Sequence, residues 1–126
     1  MNQTDRDPLT HQIIGAVIEV HRHLGPGILE SAYQECLCFE LALRGLSLRR
    51  QVALPLVYKG QTLEIGFRPD LIVEDKVLIE LKCAEKLPPV HDAQLLTYLR
   101  LSGIKVGLLI NFQSQPLMKE IKRMVL

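Results

Sequence analysis

FRPDLIVEDKVLIELK, residues 67–82, reads as two β-strands around the polar turn Glu74-Asp75-Lys76. The apolar runs Leu71-Ile72-Val73 and Val77-Leu78-Ile79 look like sheet interior, and the second strand is apolar on both faces, as in a sheet covered by helices on both sides. These strands nevertheless carry Asp70, Glu80 and Lys82. Side chains two apart on a strand share a face, so Glu80 and Lys82 point one way and Leu81 the other. If the turn is a three-residue loop, Val73 pairs with Val77, and Asp70 lies directly across from Glu80 with Cβ atoms roughly 5 Å apart. A two-residue loop would shift the register and put the two carboxylates on opposite faces.

Two facing carboxylates repel one another, and burying them unpaired costs several kcal/mol. A divalent cation removes that cost, and oxygen ligands favour Mg²⁺ or Mn²⁺ over softer metals. A hard cation beside a lysine is equipment for hydrolysing a phosphodiester, because the metal polarises the phosphoryl oxygen and acidifies a bound water while the ammonium stabilises developing charge. The plain alternative is a solvent-facing, salt-bridged trio, and the apolar strand around it weighs against that. Gln94 and Tyr98, four apart, share a face of the helix expected after this strand. Taken alone they would be a solvated amide and a half-buried phenol. Glu30 falls in the first turn of a helix, where the dipole favours a carboxylate anyway, and Tyr33 shares its face.

Working outward, Asp7-Pro8 forms a helix start, with Asp as cap and Pro at the first position. Leu9, Ile13, Val17, Val20 and Leu24 recur at helical spacing until Gly25-Pro26-Gly27. A second helix is predicted from about 28 to 44. Residues 47–58 and 61–67 alternate loosely as strands around Lys59-Gly60, with Pro55 marking an edge or a bulge. After Leu87-Pro88-Pro89 a helix is predicted over about 90–102, closed by Gly103, and VGLLIN, residues 106–111, reads as a buried strand. Pro116 is expected to open a last helix, with Leu117, Ile121 and Met124 on its apolar side. The order α-α-β-β-β-α-β-α makes the chain a mixed α/β protein, with a sheet of about four to five strands between helices.

At 126 residues the chain is expected to be a single domain spanning 1–126, with residues 1–7 as a flexible N-terminal tail. The composition, 48% hydrophobic and 23% charged, is globular. No apolar run approaches the length of a membrane span, and MNQTDRDP lacks a signal-peptide core, so no membrane partner and a cytoplasmic location are expected. The three cysteines, Cys36, Cys38 and Cys83, read as buried reduced thiols; their spacing does not suit zinc. A net charge of +1 neither attracts nor excludes nucleic acid strongly, where a protein built to coat phosphates would normally be far more basic, and 5% aromatic content without Trp argues against a stacking platform for single strands. Nucleic acid, if bound, meets a local site, to which Arg44, Arg49, Arg50 and Lys86 could add a phosphate track, although each alone reads as ordinary surface charge. There is no Gly-rich phosphate loop. None of His11, His21, His23 and His91 forms a recognisable pairing; His91 is the one expected nearest the site.

Together these residues resemble a known pattern. Pro69-Asp70 followed by Glu80-Leu81-Lys82 looks like the signature of the PD-(D/E)xK nuclease superfamily, whose αβββαβ core is similar to the order read here from the second helix to VGLLIN. Gly27-Ile28-Leu29-Glu30-Ser31-Ala32-Tyr33 matches the G-x-x-E-x-x-Y motif of the GxxExxY protein family within it, and Gln94-x-x-x-Tyr98 resembles the Q-x-x-x-Y motif of its exonuclease branch. The resemblance implies a restriction-endonuclease-like core and a Mg²⁺- or Mn²⁺-dependent nuclease acting on DNA more than RNA. It implies Asp70, Glu80 and the backbone carbonyl of Leu81 as metal ligands, with Glu30 as a further ligand or water-orienter. Lys82 would be the catalytic lysine, and Gln94 and Tyr98 would line the site. Grip on the substrate would come from a homodimer or a partner protein. The competing expectation is a nuclease-fold binding or regulatory module without turnover.

Overall fold

The computed structural model describes residues 7–113 and 121–126. Helix α1 (Pro8–Leu24) starts as its sequence demands: the Asp7 side chain accepts from Leu9 N–H at 3.1 Å and Thr10 N–H at 3.4 Å, with Pro8 at the first position. Asp7 thus belongs to the helix cap, and the rest of the expected tail, residues 1–6, lies outside the described residues. Helix α2 (Glu30–Leu43) follows the Gly-Pro-Gly break. Strand β1 (Leu48–Arg50) leads into a detached hairpin, β2 (Leu56–Tyr58) and β3 (Gln61–Leu63). The expected long strand over 47–58 is therefore broken: Gln51 adopts a left-handed φ of 49°, and Pro55 sits in the gap rather than inside a strand.

Strands β4 (Leu71–Val73) and β5 (Val77–Lys82) flank the turn, and helix α3 (Pro89–Ser102) carries the chain across to β6 (Val106–Asn111), which runs parallel to β5. Gly103 closes α3 at φ 76°, in the left-handed conformation that glycine takes without strain. The last element is a correction. Residues 121–125 form strand β7 (Ile121–Val125), antiparallel to β6, and not the end of a helix; the expected helix start at Pro116 and Leu117 lies outside the described residues. Ile121 and Met124 are three apart, a spacing that suits a helical stripe but also places them on opposite faces of a strand. Because the sheet is covered on both sides, both find cores: Ile121 packs with the α1/α2 side and Met124 with the α3 side.

The main sheet has five strands in the order β1-β4-β5-β6-β7, between α1 and α2 on one face and α3 on the other. One core joins Ile13, Val17, Leu37 and Leu41 to Leu71, Ile79, Leu81 and Ile110; the other joins Leu95 and Leu99 to Ile72, Leu78 and Leu109. Among the described residues no helix is long and apolar enough to cross a membrane. Cys36 is exposed, and Cys38 and Cys83 are only half-buried, so the expectation of buried thiols does not hold. Cys36 lies on α2 beside the exposed Phe39, away from the stripe of Tyr33, Leu37 and Leu41 that the helix buries.

Tyr33, the last residue of the G-x-x-E-x-x-Y stretch, is part of this core. It is fully buried, its ring stacks on Phe112 at 4.2 Å with planes 7° apart, and its hydroxyl donates to the Gly25 carbonyl. That bond ties α2 to the end of α1, so it serves the fold. Tyr33→Phe keeps the stacked ring and removes the bond; the expected cost is about 1 kcal/mol in urea unfolding, and no change in stability would show that the bond does not tie the two helices.

Candidate functional site

The turn decides the site. Val73 pairs with Val77, Ile72 with Leu78 and Leu71 with Ile79, the register of a three-residue loop. Glu74 and Asp75 take left-handed φ values of 55° and 53°, which strand residues avoid; the loop is held by Lys76 N–H donating to Val73 C=O at 3.0 Å and by Glu74 Oε2, which accepts the Ser47 N–H at 3.1 Å. Continued by one residue, the register sets Asp70 across from Glu80. The two strands then exchange side-chain bonds: Asp70 N–H donates to Glu80 Oε1 at 2.7 Å, and Leu81 N–H donates to Asp70 Oδ2 at 2.8 Å. Both carboxylates are thus oriented by backbone amides before any ligand arrives.

Glu80 is only 4% exposed. Burial first, and then the negative charge of Asp70, push its carboxyl up to about 7. Lys82 Nζ stands 3.8 Å from Glu80 Oε2, too far for a strong hydrogen bond, and its attraction is outweighed. Glu30, at the start of α2, belongs to the same field. Burial raises its carboxyl above the ordinary range, Lys82 opposes that, and Asp70 adds to it, with the Cys83 backbone and His91 pulling downward. Tyr98 is buried, with an edge-on Phe67 ring at 6.2 Å, and it accepts from Gln94 Nε2 at 3.0 Å. Burial first, and then the charges of Glu80 and Asp70, raise its phenol. The structure therefore brings Glu30, Asp70, Glu80, Lys82 and Tyr98 into one electrostatic neighbourhood, with Gln94 attached through Tyr98.

The basic residues expected as a phosphate track are mostly engaged elsewhere: Arg44 with Glu40 at 3.1 Å, Arg49 with Asp75 at 2.7 Å, and Arg50 with Glu35. Lys86 is exposed in the loop after β5, without an ion pair among the described residues. Three residues missed by reading the sequence also bear on the site. Gln51 Nε2 donates to Asp70 Oδ1 at 3.2 Å, Arg68 Nη1 donates to the Gln51 carbonyl at 3.4 Å, and buried Asn111 brackets Ala84 just beyond Lys82. Only Asn111 left a signal, as a polar residue ending an apolar strand parallel to the Glu80 strand.

The residues that could hold a hard cation are Asp70 and Glu80. Among the described residues no three His, Cys, Asp or Glu side chains form a ready-made cage. Mg²⁺ is commonly held by one or two carboxylates together with water and substrate phosphate, so a pair is within what such a site needs. The donor set fits: a nearly buried carboxyl sits against a second one, and its Oε2 has only a distant lysine for company.

Comparison with protein-family models matches residues 7–124 to the PD-(D/E)XK nuclease superfamily. Neither curated proteins nor solved structures give a match. Since the matched span runs from the cap of α1 into β7, through every strand and helix that frames the acid pair, the chain belongs to the PD-(D/E)XK nuclease superfamily.

Proposed function

We propose that the chain is a Mg²⁺- or Mn²⁺-dependent nuclease that hydrolyses phosphodiester bonds in DNA in preference to RNA. The observation that carries the reading is the Asp70–Glu80 pair, two carboxylates opposed across neighbouring strands with Glu80 nearly buried. Asp70 and Glu80 would hold the ion, with the Leu81 carbonyl and Glu30 as the remaining protein oxygens on offer. The ion would supply Lewis-acid activation of the phosphoryl group and a more acidic water. The side chains of this chain do the rest. Lys82, 24% exposed, presents an ammonium on the open side of the pair, where it can stabilise charge on a phosphate. Glu30 can orient a water, and Gln94 and Tyr98 form a polar wall of the site. Preference for DNA is drawn from the family membership and not from any feature of the site.

Linear and circular duplex DNA, single-stranded DNA and RNA, incubated with Mg²⁺ or Mn²⁺, test the reading. Cleavage is expected to need the metal, to stop with chelator, and to fall about 10²-fold in Lys82→Ala with little change in KM. Cleavage that persists in Lys82→Ala and in chelator would refute it. The second reading, a nuclease-fold binding module acting with a partner protein, draws support from the near-neutral net charge of +1. It would be upheld by DNA binding without turnover under every metal condition.

A further inference from the structure

We propose that Gln51 is a positioning residue that aims the Asp70 carboxylate at the cation site. The inference rests on the reading of Asp70 as a metal ligand. β1 pairs with β4 in the register Leu48–Val73, Arg49–Ile72, Arg50–Leu71, so the next position sets Gln51 opposite Asp70. Asp70 is in turn opposite Glu80, and Gln51, Asp70 and Glu80 therefore stand in a row across three strands. Three of the polar groups of Gln51 are bonded to Arg68 or Asp70. Its N–H donates to the Asp70 carbonyl at 3.2 Å, its side-chain Nε2 donates to Asp70 Oδ1 at 3.2 Å, and its carbonyl accepts from Arg68 Nη1 at 3.4 Å. Asp70 Oδ2 is already taken by Leu81 N–H at 2.8 Å. With Oδ1 held as well, the carboxylate plane is defined from both sides, and each oxygen keeps a second lone pair for a ligand.

The backbone makes the choice of glutamine informative. At φ 49° a residue without a special adaptation is strained, and glycine or asparagine would sit there more easily. Neither reaches as far: glycine has no side chain, and asparagine is shorter by one methylene. A glutamine in this position gives up backbone comfort and keeps a donor on Asp70. Supporting partners of this kind typically contribute about 10- to 100-fold to metal affinity. Because Gln51 is exposed, the lower end is expected.

The test uses the full chain and Mn²⁺ alone, titrated calorimetrically, with thermal unfolding recorded alongside. Asp70→Asn serves as the control for the underlying reading. Gln51→Gly is expected to weaken Mn²⁺ binding about 10-fold while its Tm stays level or rises, since glycine relieves the left-handed strain. Gln51→Asn, which tolerates the same backbone, should weaken binding similarly. Mn²⁺ affinity unchanged in both Gln51 variants but lost in Asp70→Asn would overturn the positioning role and leave the metal reading intact. Failure of Asp70→Asn to reduce Mn²⁺ affinity, or no uptake by the native chain, would overturn the metal reading itself. Loss of folding in both Gln51 variants would make the residue structural, which also overturns the proposal.

Discussion

Glu80→Gln is expected to make the metal-free protein more stable at pH 8 while lowering metal-dependent cleavage about 10²- to 10³-fold. The stability half follows from proton linkage. The Glu80 carboxyl has an ordinary value of 4.5 and is raised to about 7 in the folded chain, by burial first and then by Asp70. A group with a raised folded pKa binds more protons folded than unfolded between those values, so stability falls as pH rises through that window and the full loss is present above it. At ~1.4 kcal/mol per unit, and allowing for the amide that remains buried, the gain from Glu80→Gln at pH 8 is on the order of 2 kcal/mol, with almost none at pH 5. Glutamine keeps the carbonyl that accepts the Asp70 N–H, so the strand exchange survives. Glu30 is shifted in the same direction and should leave a smaller slope of the same sign in the variant. The lowered acids Asp7, Glu19, Glu35 and Glu74 act below the ordinary carboxylate range and do not confuse the comparison. Mn²⁺ should raise the Tm of the native chain at pH 8, do little at pH 5 where protons compete for the site, and do nothing for Glu80→Gln. Urea unfolding at the two pH values, with and without metal, checks this. A native chain that grows more stable from pH 5 to pH 8 would contradict the buried acid.

The buried Glu80 carboxyl destabilises the fold on its own, and that cost is also why the acid pair was legible in the sequence. An acid inside VLIELK has no cheap structural reason to exist, and a three-residue turn was enough to pair it with Asp70 by counting. The helix and buried strand after it were legible from Gly103 and the apolar run VGLLIN, and the structure adds that this strand pairs in parallel with β5. What escaped the sequence was decided by tertiary contacts. The alternation in Ile121–Val125 is masked by Arg123 and Lys122, which look like surface residues in a helix. In the fold each faces a helical layer and meets an acid there, Asp7 at 3.7 Å from Arg123 and Asp92 at 3.3 Å from Lys122. The break at Gln51 was invisible because a left-handed glutamine has no compositional mark; its reason lies in Asp70, nineteen residues away. Tyr33 shares a face with Glu30, yet its ring packs on Phe112, a partner no local window contains.

Asn111→Ala is expected to cost about 3 kcal/mol, more than any other single polar truncation proposed above, and to reduce cleavage although Asn111 does not belong to the acid cluster. Asn111 is fully buried at the end of β6, beside Lys82 in the parallel register. Its Oδ1 accepts the Ala84 N–H at 3.2 Å and the Gln113 N–H at 3.1 Å, and its Nδ2 donates to the Ala84 carbonyl at 2.7 Å. Alanine leaves three backbone groups without partners in a part-buried setting, each costing about 1 kcal/mol or more, and opens a small void. The segment they hold, Cys83-Ala84, follows directly on Lys82, and the Cys83 backbone faces Glu30. Loosening it therefore lets the lysine and the helix-borne acid move relative to the Asp70–Glu80 pair, and positioning errors of this kind lower kcat more than they raise KM. Asn111→Asp separates the two contributions. It keeps both accepting bonds but turns the donor on the Ala84 carbonyl into a repelling oxygen and buries a charge. It should be less stable than Asn111→Ala at pH 8 and recover as pH falls, because a protonated carboxyl can donate where the amide did. Parallel stability curves for the two variants across that range would show that Ala84 is held by something other than this side chain, and the account of how β6 supports the site would have to be abandoned.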